Sequence, residues 1–279
     1  MTTGGSWPVR FGFAELVRDL DRPAGWMLIV DGTPQSYVDT EDPLHLDFDY
    51  VRLLADVVEV TTDPGTPLTM VHLGGGGCTL PRWVAATHPG STQVVIEADD
   101  LLAEVVRSQF GTTGFRLRVG DARAALEHLQ PAASDVVVGD CFVGARVPAH
   151  LATVEHVWQV AGVLKPAGTY VVNLADSGSL VFIRQQVATM LAVFEHVVLL
   201  GDLRARRLAR LGAQVASLER CLHEAREQRV GRGGAALELG VELTPQEIRV
   251  IRELDDLDEA LVRRRPREHE ACGDEPVAV

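Results

Sequence analysis

Between residues 70 and 201, six short runs of β-branched and apolar residues alternate with longer stretches of helical periodicity. Such alternation specifies βαβ units, in which parallel strands are joined by helical crossovers and both faces of the sheet are covered. The strand-like runs fall at 70–73, 93–97, 116–119, 135–139, 169–173 and 196–199, and the helical patterns near 80–87, 101–110, 122–129, 153–163 and 180–192. The expectation is a doubly wound α/β domain. Upstream, 26–30 and 35–38 flank the turn-rich Asp31-Gly32-Thr33-Pro34 and predict an N-terminal β-hairpin, with a lead-in helix over 47–58.

The end of the chain has a different character. Its last 79 residues hold 14 arginines and 16 acidic residues, against 12 basic and 23 acidic residues in the first 200, so charge density roughly doubles and a separate appendage is indicated. Helical patterns at 203–228 and 245–265 are joined by a glycine-rich 230–234, and 266–279 has the polar look of a disordered end. The two helices are expected to pair as a hairpin, to make a homodimer contact, or to stand as a solvated appendage.

Net charge narrows the partners. At −13 the surface repels phosphate backbones and anionic lipid, which excludes nucleic acid and membrane surfaces as expected partners and favours small neutral or cationic ligands. No apolar run approaches the ~18–20 residues of a membrane span, and 1–10 lacks a basic segment followed by an apolar one, so the expected location is cytoplasmic. Cys78, Cys141, Cys221 and Cys272 are scattered without a CxxC pair, and neither a disulfide framework nor a metal site is expected.

The chemistry concentrates at the strand ends. Gly74, Gly75, Gly76 and Gly77 follow the first parallel strand and open the next helix, which lets backbone approach a ligand closely. A tight strand-to-helix turn would account for the glycines alone. Glu97, however, ends the next strand about 20 residues later, where a carboxylate can accept from both hydroxyls of a ribose. Asp121 ends the third strand and Asp140 the fourth, at the same carboxyl edge. There is no third glycine at dinucleotide spacing and no Gly-Lys-Ser/Thr, so a pyrophosphate ligand is disfavoured. A nucleoside without phosphates, such as S-adenosylmethionine or its decarboxylated form, fits the acids better.

Residues 26–201 resemble the spermidine synthase family of aminopropyltransferases, which share a Rossmann-like, methyltransferase-type sheet. Asp31-Gly32-Thr33-Pro34-Gln35 resembles the family's DGxxQ hairpin, Asp47-Phe48-Asp49-Tyr50 its DEFxY helix start, and Leu73-Gly74-Gly75-Gly76-Gly77-Cys78 its GGGDG turn. The resemblance implies decarboxylated S-adenosylmethionine, or S-adenosylmethionine, as co-substrate and a small amine or polyamine as partner. It makes Glu97 the ribose ligand, Asp121 the ligand of the adenine amine, Gln35 a contact to the methionine-derived arm, and Gly74, Gly75 and Gly76 the turn beneath the nucleoside. Tyr50 becomes a substrate-binding residue and Asp140 the catalytic acid beside the reacting amine. Four segments follow: 1–60, hairpin region and lead-in helix; 61–201, nucleoside-binding domain; 202–265, charged helical appendage; 266–279, disordered tail.

Several positions depart from the family pattern. The acid of GGGDG falls on Gly77, a second acid after Asp140 falls on Val143, an acid of the lead-in helix falls on Arg52, and Arg82 replaces a glutamate. A site that loses carboxylates and gains arginine should hold a polycationic acceptor poorly. Three readings therefore stand: an aminopropyltransferase with an eroded polyamine site, a methyltransferase on the same scaffold, and a non-catalytic nucleoside-binding or interaction protein. Of the remaining residues, His72, Trp83 and Trp158 read as core, Cys141 as an unactivated thiol, and His150 and His156, after the Asp140 loop, as helix-surface positions or, alternatively, lid residues.

Overall fold

The computed structural model describes residue 2 and residues 4–176, 181–194, 197–200 and 248–250. Four N-terminal strands, β1 (Gly5–Val9), β2 (Gly12–Arg18), β3 (Gly25–Val30) and β4 (Thr33–Asp39), form an antiparallel sheet in sequence order. The hairpin expected around Asp31-Gly32 is β3–β4, with Asp31 at φ 46° and Gly32 at φ 73°, both left-handed as a tight hairpin turn requires. Strands β1 and β2 were not expected. Their alternation is legible in β2, where Ala14 and Leu16 point inward and Phe13, Glu15 and Val17 outward, but glycines and Pro8 mask it in β1.

Helix α1 (Asp49–Thr61) leads into the α/β domain, which runs β5 (Thr69–Leu73), α2 (Thr79–Thr87), β6 (Thr92–Glu97), α3 (Asp100–Phe110), β7 (Arg116–Val119), α4 (Ala122–Leu126), β8 (Ser134–Gly139), α5 (Val154–Val163), β9 (Leu164–Val172) and α6 (Val181–Leu191). Strands β5 to β9 are all parallel, in the order β7-β6-β5-β8-β9. The central strands are apolar throughout because both faces are covered: Met70, Val136 and Val138 pack with α1 and α2, while Val71, Leu73 and Val137 pack with α4 and α5. Edge strand β7 instead alternates Arg116 and Arg118 with Leu117 and Val119, and charge of this kind blunts an open edge. β9 begins earlier than expected and accommodates Pro166, as an edge strand can, with a register shift against β8 between Ser134 and Val136.

The N-terminal sheet is tied to this domain by Asp99. Its carboxylate caps α3 through the Leu102 N–H and also accepts from the N–H groups of Arg10 and Phe11 in the β1–β2 turn. Beneath that anchor, Ala14, Leu16 and Leu28 pack on Leu102, Val105 and Val106 of α3.

Two expectations near the end of the chain change. The strand expected at 196–199 is β10 (Val197–Leu199), but it pairs in parallel with β11 (Ile248–Val250) in a separate two-stranded ladder rather than extending the main sheet. Residues 248–250 therefore interrupt the helix expected over 245–265; the β-branched Ile248 and Val250 suit a strand, and β10 supplies backbone groups to pair with. The rest of the appendage and tail expected at 202–265 and 266–279 lies outside the described residues. No helix among the described residues is long and apolar enough to cross a membrane.

Candidate functional site

The strand order reverses between β5 and β8: the chain goes from β5 to β6 and β7 on one side, then crosses to β8 and β9 on the other. Ligands of open α/β sheets bind at this switch point, at the carboxyl ends of the strands. Here the glycine turn after β5 meets Asp140 after β8. A small cleft, partly open to solvent, lies between them and is lined among others by Ser36, Tyr50, His72, Gly74, Gly75 and Asp140.

The glycine turn is held entirely from within the protein. The Gly74 N–H donates to the Ile96 carbonyl (2.8 Å), those of Gly75 and Gly76 to Glu97 Oε2 (2.9 and 3.2 Å), that of Gly77 to Ser36 Oγ (2.9 Å) and that of Cys78 to the Gly75 carbonyl (2.7 Å). A phosphate needs free backbone donors, and the N–H groups from Gly74 to Cys78 already have partners within the protein.

Glu97 spends much of its capacity on that turn. Besides Gly75 and Gly76 it accepts from the Asp99 N–H at Oε1 (2.9 Å), three bonds out of roughly four lone-pair sites on a carboxylate. Burial raises its carboxyl above the usual range, against the pull of these donors.

Asp140 is the partly buried acid at the cleft floor. Its Oδ1 accepts from Asn173 Nδ2 (2.9 Å), and the Tyr50 hydroxyl faces the same carboxylate. Burial raises the Asp140 carboxyl, Asn173 and Tyr50 oppose that rise, and nearby Glu97 adds to it. Burial first, then the charge of Asp140, drives the Tyr50 hydroxyl well above its ordinary value, so it remains a donor. Tyr50 also points its hydroxyl at the Gln35 carbonyl (3.5 Å), and Gln35 reaches the site through its backbone.

Asp121 is occupied differently. Its Oδ1 caps α4 through the Ala124 N–H (2.9 Å), and its Oδ2 meets His150 Nε2 at 2.7 Å, both side chains about half exposed. Burial pushes its carboxyl up, but Ala124 and His150 outweigh it and the group lies below the usual range. His150 is thus a hydrogen-bond partner of a strand-end acid rather than a bare surface residue. Cys141 sits within the field of Asp140, Glu97 and Asp121, and burial together with those charges pushes its thiol up, which disfavours the thiolate.

The departures from the family pattern acquire physical reasons, and one inference from them is corrected. Ser36 fills the space beside the glycines: a β-carbon at Gly76 would come within 2.6 Å of Ser36 Oγ, and one at Gly77 within 2.8 Å of the Val38 side chain and 2.9 Å of Ser36 Cβ. An acid at either position has no room. The arginines do not enter the cleft, contrary to expectation. Arg82 donates to the Gly111 carbonyl (2.6 Å) and lies over Phe110 and Phe115, while Arg52 binds the Leu46 and Asp47 carbonyls and Asp49 at the start of α1. Helical geometry turns both guanidiniums toward neighbouring loops. Val143 is half exposed and bridges to Arg146.

His72 is the buried core residue expected, its Nε2 at 2.9 Å from Gln93 Oε1, and burial takes it down to about 4. Trp83 is buried, but Trp158 is partly exposed and His156 is buried, the reverse of what their spacing suggested. Sequence reasoning missed Ser36 and Asn173. Asn173 carried a signal, since it ends the fifth expected strand as Asp140 ends the fourth.

No protein-family model matches the chain. A polyamine aminopropyltransferase of Vibrio vulnificus is 26% identical over 149 residues, which cover 52% of this chain and 48% of that protein, so the chain spans about half the length of this curated relative. Among solved structures, a probable spermidine synthase from Corynebacterium glutamicum is 33% identical, with 70% of this chain and 72% of that one covered and a TM-score of 0.67. A spermidine synthase in complex with the transition state analogue AdoDATO shares the fold at 16% identity, with 68% and 64% coverage and a TM-score of 0.55.

Proposed function

Because this chain belongs to the spermidine synthase family, we propose that it transfers the aminopropyl group of decarboxylated S-adenosylmethionine to an amine, with a singly charged acceptor preferred over a diamine. The observation that carries this reading is Asp140, a partly buried carboxylate at the switch point, held by Asn173, faced by Tyr50 and standing as the one acid among the described residues lining the cleft. Glu97 takes the ribose and Asp121 the adenine amine, with the sulfonium near the glycine turn and Asp140. The amine lone pair attacks the carbon next to sulfur; the C–N bond forms, the C–S bond breaks, and its electron pair leaves on sulfur as methylthioadenosine. The ammonium proton passes to Asp140.

One carboxylate can orient and deprotonate one amine. It cannot also pair a second ammonium several ångströms away, and an unpaired buried ammonium is costly, which is why putrescine is expected to be poor. A second reading, methyl transfer from intact S-adenosylmethionine, is favoured by Gly77 and the Ser36 packed against it, because no acid stands at position 77 to repel the carboxylate of that donor. Mass spectrometry of reactions offering each donor with monoamines, putrescine and spermidine separates them: aminopropylated monoamine supports the first reading, methylated product the second, and efficient spermidine formation from putrescine removes the proposed acceptor preference.

A further inference from the structure

The carboxyl edge of β9 ends in Asn173, whose contact with Asp140 has a consequence for the proton transfer itself. Asn173 follows Val172, and its backbone N–H donates to the Gly139 carbonyl at 2.8 Å, carrying the β8–β9 ladder one bond further. Its side-chain Nδ2 donates to Asp140 Oδ1 at 2.9 Å. Asp140 is itself tied to β5 through its N–H and the Leu73 carbonyl (2.8 Å). One residue thus grips both the last residue of β8 and the acid that follows it. Resting on the aminopropyl-transfer reading, we propose that Asn173 is a positioning residue for the reaction: its carboxamide fixes the orientation of the Asp140 carboxylate and holds it in the proton-accepting form.

The surroundings of Asp140 explain why such a device is needed. From α1, the Tyr50 hydroxyl faces it; from the end of β6, Glu97 opposes its charge; Cys141 follows it in the chain; and His72 of β5 lines the same cleft with its Nε2 on Gln93. Burial favours the neutral acid, which cannot accept a proton. Tyr50 lines the cleft, where the acceptor amine competes for the same carboxylate. Asn173 reaches Asp140 from β9, cannot titrate, and remains a donor at every pH. An aspartate at 173 would instead share a proton with Asp140.

The test is a 13C NMR titration of the Asp140 carboxyl, its signal identified by Asp140→Asn, in the wild type, Asn173→Leu and the near-isosteric Asn173→Asp, with methylthioadenosine affinity confirming the fold of each variant. A hydrogen bond to the charged form lowers an acid's pKa, so its loss raises it: the titration is expected to move up by about one to two pH units in Asn173→Leu and at least as far in Asn173→Asp. The acid limb of kcat moves with it to higher pH, while the KM of the donor stays near that of the wild type. An unmoved titration in either folded variant overturns the proposal, even if turnover falls. A wild type that forms no transfer product with any amine removes the functional reading, whereas the titration still decides whether Asn173 governs Asp140.

Discussion

Gly74 passes so close to Asp140 that a β-carbon at residue 74 would fall on the Asp140 carbonyl oxygen. The two residues follow adjacent strands at the reversal of strand order, and their approach closes the floor of the cleft. Gly74 also has φ 95°, which L side chains rarely adopt. Gly74→Ala is therefore expected to lower stability by about 2 kcal/mol or more and to weaken methylthioadenosine binding, through strain and backbone displacement together. Urea unfolding checks the first effect, and a wild-type midpoint in the variant would show that the turn and Asp140 are not in contact.

Glu97→Gln tests the ribose contact and the turn at once. Replacing the carboxylate loses a charge-assisted acceptor, worth about 1.5–3 kcal/mol, or roughly tenfold or more in methylthioadenosine affinity. Because Glu97 also holds Gly75, Gly76 and Asp99, calorimetry needs the unfolding midpoint beside it. Full affinity in a folded variant removes Glu97 from the nucleoside site.

The parallel sheet was legible because its buried strands are continuous apolar runs that end in residues of distinct chemistry. Glu97, Asp121 and Asp140 were found by that rule, and Asn173 by the same rule was not followed through. Helix-borne side chains were harder to place. Arg52 and Arg82 occupy positions where acids would line a polyamine site, yet each turns toward a neighbouring loop, and direction around a helix terminus depends on packing that one sequence does not display. Ser36 is a similar case: only the crossing of β4 over the glycine turn, forty-one residues away, reveals that Gly77 has no room for an acid.

The raised carboxyl of Asp140 has a consequence for stability. An acid whose folded pKa lies above its unfolded value costs stability once it ionises: the cost is absent below the unfolded value, grows as pH rises through the interval between the two, and is complete above the folded value. Asp140→Asn is accordingly expected to be more stable than the wild type at neutral pH, with the gain shrinking as pH falls toward the range where Asp140 takes up its proton. Urea midpoints measured across that range check the trend. A gain that grows on acidification would mean that Asp140 is stabilised as the anion.

Gly77 in place of an acid in the turn predicts weak donor discrimination. Without like-charge repulsion against the carboxylate of intact S-adenosylmethionine, a penalty of a few kcal/mol is absent, and the two donors should compete within about tenfold of each other. A competition titration that strongly prefers the decarboxylated form would require an acid that the described cleft does not contain.

The role of Asp140 is tested most directly by following methylthioadenosine release from decarboxylated S-adenosylmethionine in the wild type and in Asp140→Asn, with methylthioadenosine affinity measured for both. The wild type should release it only when an amine is present, and Asp140→Asn should bind it with nearly unchanged affinity while turnover drops by about 10²- to 10⁴-fold, the usual cost of removing a positioned general base. Equal release by the two proteins, or none from the wild type with any amine, would contradict the account.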